Sequence, residues 1–528
     1  MSKTEKKPVP VRQSGVLVHP TSFPGPYGIG DLGPEAYNFI DFLVKAGQTL
    51  WQILPLGPTD GSPYSAYSSF AGQTLLISPD KLLEYGLLTQ ADLDMFRPVK
   101  ADRVDYSIIL ACKKPFFKKA FAAFQLHTKE KSPLYEEFLE FKKEQAYWLD
   151  DYSLFMALKE YFNGDSWHNW PLEVRRPKAA AKKKWRKELA EQILYIEFLQ
   201  FIFYKQWFEL KAYANKNGIS IIGDIPIFVS DDSADVWASP KLFYVTEDGF
   251  PTVVSGVPPD YFSKTGQLWG NPLYKWPAHK RTGYAWWISR IKAQLSLCDI
   301  LRIDHFRAFQ DYWSIPADAE TALEGHWEPG PREAFFDAVK AELGENLPII
   351  AEDLGIITEG VVALRDYTGL PGMKVLQFAF DGNPGNVHLP YNTATTNCVA
   401  YTGTHDNNTT VGWYKESDEK TKDVVRRFMN TNGNQIHWDF IRTCFSTPAL
   451  KAIVPMQDLL GQDETFRMNV PGVAKGNWGY RYQADDLTDG LAKHLLSITK
   501  LYGRYQAPEK DTKESAKPDT IDTETANN

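Results

Sequence analysis

The stretch Ile300-Leu301-Arg302-Ile303-Asp304-His305-Phe306-Arg307-Ala308 decides how the rest of the chain is read. Leu301 and Ile303 alternate with Arg302, Asp304 and Phe306, which is the period of a β-strand with one apolar face. Arg302 and Asp304 would each cost on the order of several kcal/mol if buried without a partner. Spaced i, i+2 they are neighbours on one face, so the guanidinium can keep the carboxylate ionised. An ionised, oriented carboxylate at a strand end is what a covalent nucleophile requires. A structural ion pair inside a barrel fits the same pattern, and this strand alone leaves both readings open.

Working outward, seven more apolar segments have strand character: Gly15-Val16-Leu17-Val18-His19, and residues 50–56, 219–226, 347–355, 374–380, 398–407 and 451–458. Helical patterns separate most of them. Residues 34–47 are an example, with Pro34 at the start, Gly47 at the end and Ala36, Phe39, Ile40, Leu43 and Val44 at helical spacing. Eight such units predict a (β/α)8 TIM barrel over residues 14–505, with inserted subdomains. An open doubly wound sheet would need a Gly-rich phosphate turn after an early strand, and the sequence has no GxGxxG there. Residues 81–195 read as a mainly helical insertion, and residues 229–280, too long for a plain connection, as a lid or groove insertion. The basic run at Lys178, Lys182, Lys183, Lys184, Arg186 and Lys187 reads as a solvated helix face. Residues 508–528 are polar and without apolar periodicity, so a disordered tail is expected.

Bulk properties narrow the function classes. The chain has 528 residues, 43% apolar content and a formal net charge of −8, which gives no general electrostatic case for nucleic acid or an anionic membrane. Cys112, Cys298, Cys398 and Cys444 lie far apart, with no CxxC, which fits a reducing compartment and implies neither a disulfide framework nor a zinc site. No apolar run reaches transmembrane length, and the charged, Pro-containing first ten residues are not a signal peptide. Aromatic content is 14%, with 16 Trp; flat rings suit sugar faces but are also ordinary core material.

Three of the predicted strand ends carry acids: Asp304, Glu352 and Asp406. A barrel brings successive strand ends onto one rim, so acids far apart in sequence meet in space. Two carboxylates flanking a bond are the equipment of glycoside chemistry, one ionised to attack and one protonated to release the leaving oxygen. Arg302 favours the ionised state at Asp304. The apolar run before Glu352, and Asp353 beside it, favour the protonated state there. Asp353 is the weaker candidate because it would face away from Glu352. His405 with Asp406 could ligate a metal, or simply cap a loop; no second His stands at ligand spacing. His305 reads as a supporting or core histidine, and Asp224 as a carboxylate that fixes arginine.

These residues resemble the amylomaltase family, the 4-α-glucanotransferases or disproportionating enzymes. The resemblance rests on Arg302-Ile303-Asp304-His305-Phe306-Arg307, Ala351-Glu352-Asp353-Leu354-Gly355 and Thr402-Gly403-Thr404-His405-Asp406-Asn407. It extends to His19-Pro20-Thr21-Ser22, Gly223-Asp224-Ile225-Pro226-Ile227, Trp269-Gly270-Asn271-Pro272-Leu273-Tyr274 and Arg467-Met468-Asn469-Val470-Pro471-Gly472. It implies an α-amylase-like barrel, with inserted subdomains and no separate C-terminal β domain, that transfers α-1,4-glucan segments between maltooligosaccharide, starch or glycogen chains and glucose, by a retaining double displacement that releases glucose from short donors. No cofactor or metal is implied, and the expected location is the cytoplasm, or the plastid stroma in a plant. Carried over motif by motif, it implies Asp304 as nucleophile, Glu352 as acid/base and Asp406 as transition-state stabiliser working with His405. Arg302 would hold the nucleophile, with Asp224 in support. Tyr64, Tyr261, Phe262, Trp269, Asn271, Asn469 and Pro471 would contact glucan, with the stretch from Asn469 to Trp478 facing it across the groove. Ala308 stands where the family commonly has Gly, and Tyr480 where it commonly has Trp. A plain glucan hydrolase, a non-catalytic glycan binder and a metal-dependent barrel enzyme are the competing readings; three acids at strand ends argue against a mere binder.

Overall fold

The computed structural model describes residues 11–95, 102–259 and 263–507. Twelve strands lie in the described residues: β1 (Gln13–Leu17), β2 (Leu50–Gln52), β3 (Ser220–Pro226), β4 (Val253–Val257), β5 (Gln267–Pro272), β6 (Ile300–Asp304), β7 (Asp311–Pro316), β8 (His326–Pro329), β9 (Ile349–Ala351), β10 (Gly372–Val375), β11 (Cys398–Tyr401) and β12 (Lys451–Pro455). Eight of them form one parallel sheet in the order β10-β11-β12-β1-β2-β3-β6-β9. The two ends of that order meet. The Ala351 amide donates to the Pro371 carbonyl at 2.9 Å, just before β10, and the Met373 amide donates to Asp353 Oδ1 at 2.7 Å. The sheet therefore closes into the (β/α)8 barrel that the eight apolar segments imply, and it uses the same eight segments.

Strand alternation sorts the core. Leu17, Leu50, Ile222, Ile350, Met373, Val375, Val399, Tyr401 and Ile453 form a cluster inside the barrel. The opposite faces of the strands pack under the helices in a much larger cluster that includes Val16, Trp51, Ile221, Leu301 and Ile303. Counting on by two from the interior positions leads to Asp224, to Arg302 and Asp304, and to Glu352, all at the carboxyl ends of their strands. The inward run on β6 stops at Asp304. His305 takes a left-handed backbone, φ 56°, and a short 3-10 turn follows. Phe306 is consequently not beside Arg302 and Asp304, as continued alternation predicts, but is fully buried against Phe309 and Phe336.

Between β2 and β3 the chain forms long helices, Tyr106–Glu130, Pro133–Tyr161 and Ala190–Lys216. They pack through rings: Phe124 lies 4.8 Å from Phe198 and Phe138 lies 5.6 Å from Phe201, centroid to centroid. Trp51, Trp167, Trp170, Trp207 and Trp287 are fully buried as well. Much of the aromatic content is thus core.

The remaining strands make a second sheet, antiparallel, in the order β5-β4-β7-β8. The sequence gives residues 257–276 the look of a Gly/Pro-rich loop, but β5 lies within them. A register irregularity between Val254 and Gly256, together with Gly270 at φ 80°, breaks the period-two pattern that would have marked a strand. No described helix is long and apolar enough to cross a membrane.

Candidate active site

The site is built on one guanidinium. Register sets Asp224 of β3 directly beside Arg302 of β6. Arg302 donates to Asp224 Oδ2 at 2.6 Å and to Asp304 Oδ1 at 2.8 Å. Arg302 is buried; its own desolvation opposes the charge, but the two carboxylates outweigh it and hold the guanidinium firmly protonated. Asp224 is pushed up to about 6 by burial, against the pull of Arg302. Its Oδ2 also accepts from the Tyr64 hydroxyl at 2.7 Å, while Oδ1 has no hydrogen-bond partner. Asp304 differs: its side chain is 31% exposed, on the open side of the guanidinium. The pair therefore divides into an inner anchor and an outer carboxylate that faces the space above the barrel.

Glu352 follows β9, the next strand round the barrel. The left-handed turn at His305 aims that residue's amide at Glu352 Oε2, 2.7 Å away, and the Leu354 amide donates to Oε1 at 2.7 Å. Burial, then the charge of Asp304, push the Glu352 carboxyl up to about 8 despite Arg302 and the two amides. A carboxyl that stays protonated near neutrality, beside one held by an arginine, is the division of labour that acid-assisted displacement needs. Asp353 faces the barrel seam instead, bonded to Arg365 at 2.6 Å and to the Met373 amide.

Asp406 completes the group from the loop after β11. Burial pushes its carboxyl up, but His405, the Asn469 amide and Arg302 together outweigh that and hold it below the usual carboxylate range. Asn469 Nδ2 donates to Oδ1 at 2.6 Å, and His405 Nε2 stands 3.3 Å from Oδ2. His405 is pushed down by burial and more than restored by Asp406, so it ends above its ordinary value. Its ring stacks on Tyr64, 5.2 Å between centroids and 17° between planes.

The other predicted contacts are less uniform. Trp269 sits edge-on to the His305 ring at 5.0 Å and is 39% exposed. Asn271 is taken up elsewhere: its amide donates to the Val229 carbonyl at 2.9 Å and its oxygen accepts from Ser255, tying the small sheet to the segment after β3. Pro471 lies in an exposed turn. Tyr261 and Phe262 fall outside the described residues. Two further neighbours of the acids lie in the stretch from Arg467 to Trp478. Trp478, at φ 63°, lies 5.7 Å from Tyr64 and 6.0 Å from His405. Arg467 donates to the carbonyls of Asp406 and Asn469, each at 2.7 Å, and so clamps one loop to the other. Arg467 belongs to the Arg467-Met468-Asn469-Val470-Pro471-Gly472 motif, and Trp478 closes the stretch expected to face the glucan. Among the described residues no group of three or more His, Cys, Asp or Glu side chains is placed to hold a metal ion.

A family model described as 4-alpha-glucanotransferase matches residues 18–488. The chain belongs to the 4-alpha-glucanotransferase family. A 4-alpha-glucanotransferase of Synechocystis is 52% identical over 497 residues, 93% of this chain and 98% of that protein. One from Streptococcus pneumoniae is 46% identical over 500 residues, 93% of this chain and 97% of that protein. Among solved structures, the amylomaltase from Streptococcus agalactiae, in complex with acarbose, superposes with a TM-score of 0.90 at 42% identity, covering 94% of this chain and all of the other. The closed barrel with acids at its carboxyl-terminal rim is thus the scaffold of a 4-alpha-glucanotransferase-family enzyme.

Proposed function

We propose that the enzyme moves α-1,4-glucan segments from one maltooligosaccharide, starch or glycogen chain to another, or to glucose, by retaining double displacement, and releases glucose from short donors. The observation that carries this reading is the contrast between two neighbouring acids: Asp304 held by Arg302 at 2.8 Å, and Glu352 pushed up to about 8 beside it.

In the first half-reaction an Asp304 oxygen attacks C1 of the glucosyl unit. The bond from C1 to the departing O4 breaks, and the Glu352 proton goes to that O4. The products are a glucosyl ester on Asp304 and a shortened glucan with a free 4-hydroxyl. In the second, Glu352, now a carboxylate, takes the proton from the 4-hydroxyl of an acceptor as that oxygen attacks C1. The ester bond breaks, Asp304 is released, and the anomeric configuration is retained. Asp406, ionised and bonded to Asn469 and His405, supplies fixed negative charge opposite the oxocarbenium-like transition state. Tyr64, Trp269 and Asn469 are the proposed glucan contacts among the described residues.

Water competes at the ester. Positioning an acceptor can be worth a large effective molarity, and closure over the intermediate keeps water out. The small sheet that carries Trp269, and the loop that carries Asn469, are the elements proposed to do this. The mechanism is tested by trapping. A 5-fluoro-glucosyl fluoride should leave a glucosyl ester on the peptide containing Asp304, read by mass spectrometry. A label on Glu352 or on no residue would remove Asp304 from the nucleophile's place.

A further inference from the structure

The small sheet approaches the acids from both of its edges. At one edge β5 sets Trp269 against His305. At the other, β8 sets Trp327 over Arg307, with the guanidinium 3.8 Å from the ring centroid. Arg307 is three residues beyond Asp304. It is buried, bonded to Asp311 at 2.9 and 2.8 Å, and donates to the carbonyl of Ile356, four residues beyond Glu352. The β8 edge is therefore anchored to the ends of both acid-bearing strands.

Register aligns Leu268, Gly256, Trp313 and Trp327 in one row across the four strands, and residues opposite one another across strands share a face. Trp327 is 40% exposed and Trp313 is half-buried. The two indoles meet edge to face at 5.1 Å and 70°. Trp313 is fixed in turn: its indole N–H donates to the Ala322 carbonyl at 2.9 Å, and Gly325 packs so close that a Cβ there would come within 2.2 Å of the indole nitrogen. Trp327 thus has a cation against its ring and a second indole beside it, and 40% of the residue remains exposed. A rigid, amphipathic ring that is partly exposed offers a flat apolar surface to the C–H face of a pyranose and loses little conformational freedom on binding. The catalytic group makes no use of it.

We infer that Trp327, braced by Arg307 and Trp313, is a remote glucan-binding subsite that stacks a glucosyl unit of a long chain whose reacting bond lies at Asp304 and Glu352. The inference rests on the transfer reaction proposed above. It makes Trp327 a length-specificity residue: it reads chains long enough to extend from the acids to β8.

The test compares kcat/KM for maltoheptaose with kcat/KM for maltotriose in the intact enzyme, Trp327→Leu and Trp327→Phe. Leu keeps an apolar side chain on Arg307 but removes the flat face; Phe keeps a flat face. The ratio of the two kcat/KM values does not depend on the fraction of enzyme folded. In Trp327→Leu it should fall by about 3–10-fold, mainly through KM for maltoheptaose, as loss of one stacking contact does, and Trp327→Phe should restore most of it. An unchanged ratio in Trp327→Leu, or an equal fall in both variants, would overturn the subsite. Failure of the intact enzyme to lengthen maltotriose would instead overturn the transfer reading, and the two failures are separately visible.

Discussion

Glu352 concentrates the chemistry at the scale of single residues. Its carboxyl sits at about 8, against an ordinary 4.5, because it is buried beside Asp304. The acid step needs the protonated form, so kcat/KM should fall as pH rises through about 8, measured on the intact enzyme with a maltooligosaccharide donor. Glu352→Gln should abolish that limb and lower kcat by about 10²–10⁴-fold, the usual worth of an acid/base group. Asp304→Asn should in addition abolish the trapped ester. Linkage gives a second reading of the same residue. Between pH 4.5 and about 8 the folded state holds a proton on Glu352 that the unfolded chain has lost, so folding stability falls as pH rises across that window. Gln carries no such loss. The melting temperature of Glu352→Gln should therefore gain on the intact enzyme as pH goes from 4.5 to 8; a constant difference would mean that Glu352 is not held protonated. The side-by-side placement of Arg302 and Asp304 is legible in their i, i+2 spacing. The His305 amide on Glu352 is not, because it depends on the left-handed turn at His305, which no spacing rule announces.

At the scale of elements, the eight barrel strands are legible because each is an apolar run that ends in Gly, Pro or acids. The antiparallel sheet is not. Its strands carry Gly256 and Gly270 and a register irregularity, and what marks them as strands is pairing between β4 and β7, about sixty residues apart in sequence, a long-range contact that local pattern does not register. That sheet carries Trp269 to His305, the residue whose amide holds Glu352. Trp269→Ala should therefore weaken acceptor capture: the ratio of hydrolysis to transfer, read as new reducing ends per new longer chain, should rise several-fold. A fall in total turnover with that ratio unchanged would limit Trp269 to ground-state binding. Asn271 lies in the same short motif, and its hydrogen bonds to Val229 and Ser255 make it a tie between elements.

At the scale of the whole molecule, closure of the barrel between β9 and β10 is what brings residues 224, 304, 352 and 406 onto one rim. Sequence order supplies the count of strands, and the closed parallel sheet supplies the convergence. Acids carry both half-reactions in this account, so activity should survive exhaustive chelation; loss of activity with recovery on adding a divalent metal would favour a metal-bound His405 and Asp406. The ester on Asp304 is expected to pass to sugar rather than to water. Transfer conserves the number of reducing ends, and hydrolysis raises it. The direct measurement is incubation of the intact enzyme with maltotriose alone, with products resolved by chain length and total reducing ends counted over time. Glucose should form together with maltopentaose and longer chains, at a nearly constant number of reducing ends. A steady rise in reducing ends without chains longer than maltotriose would contradict it.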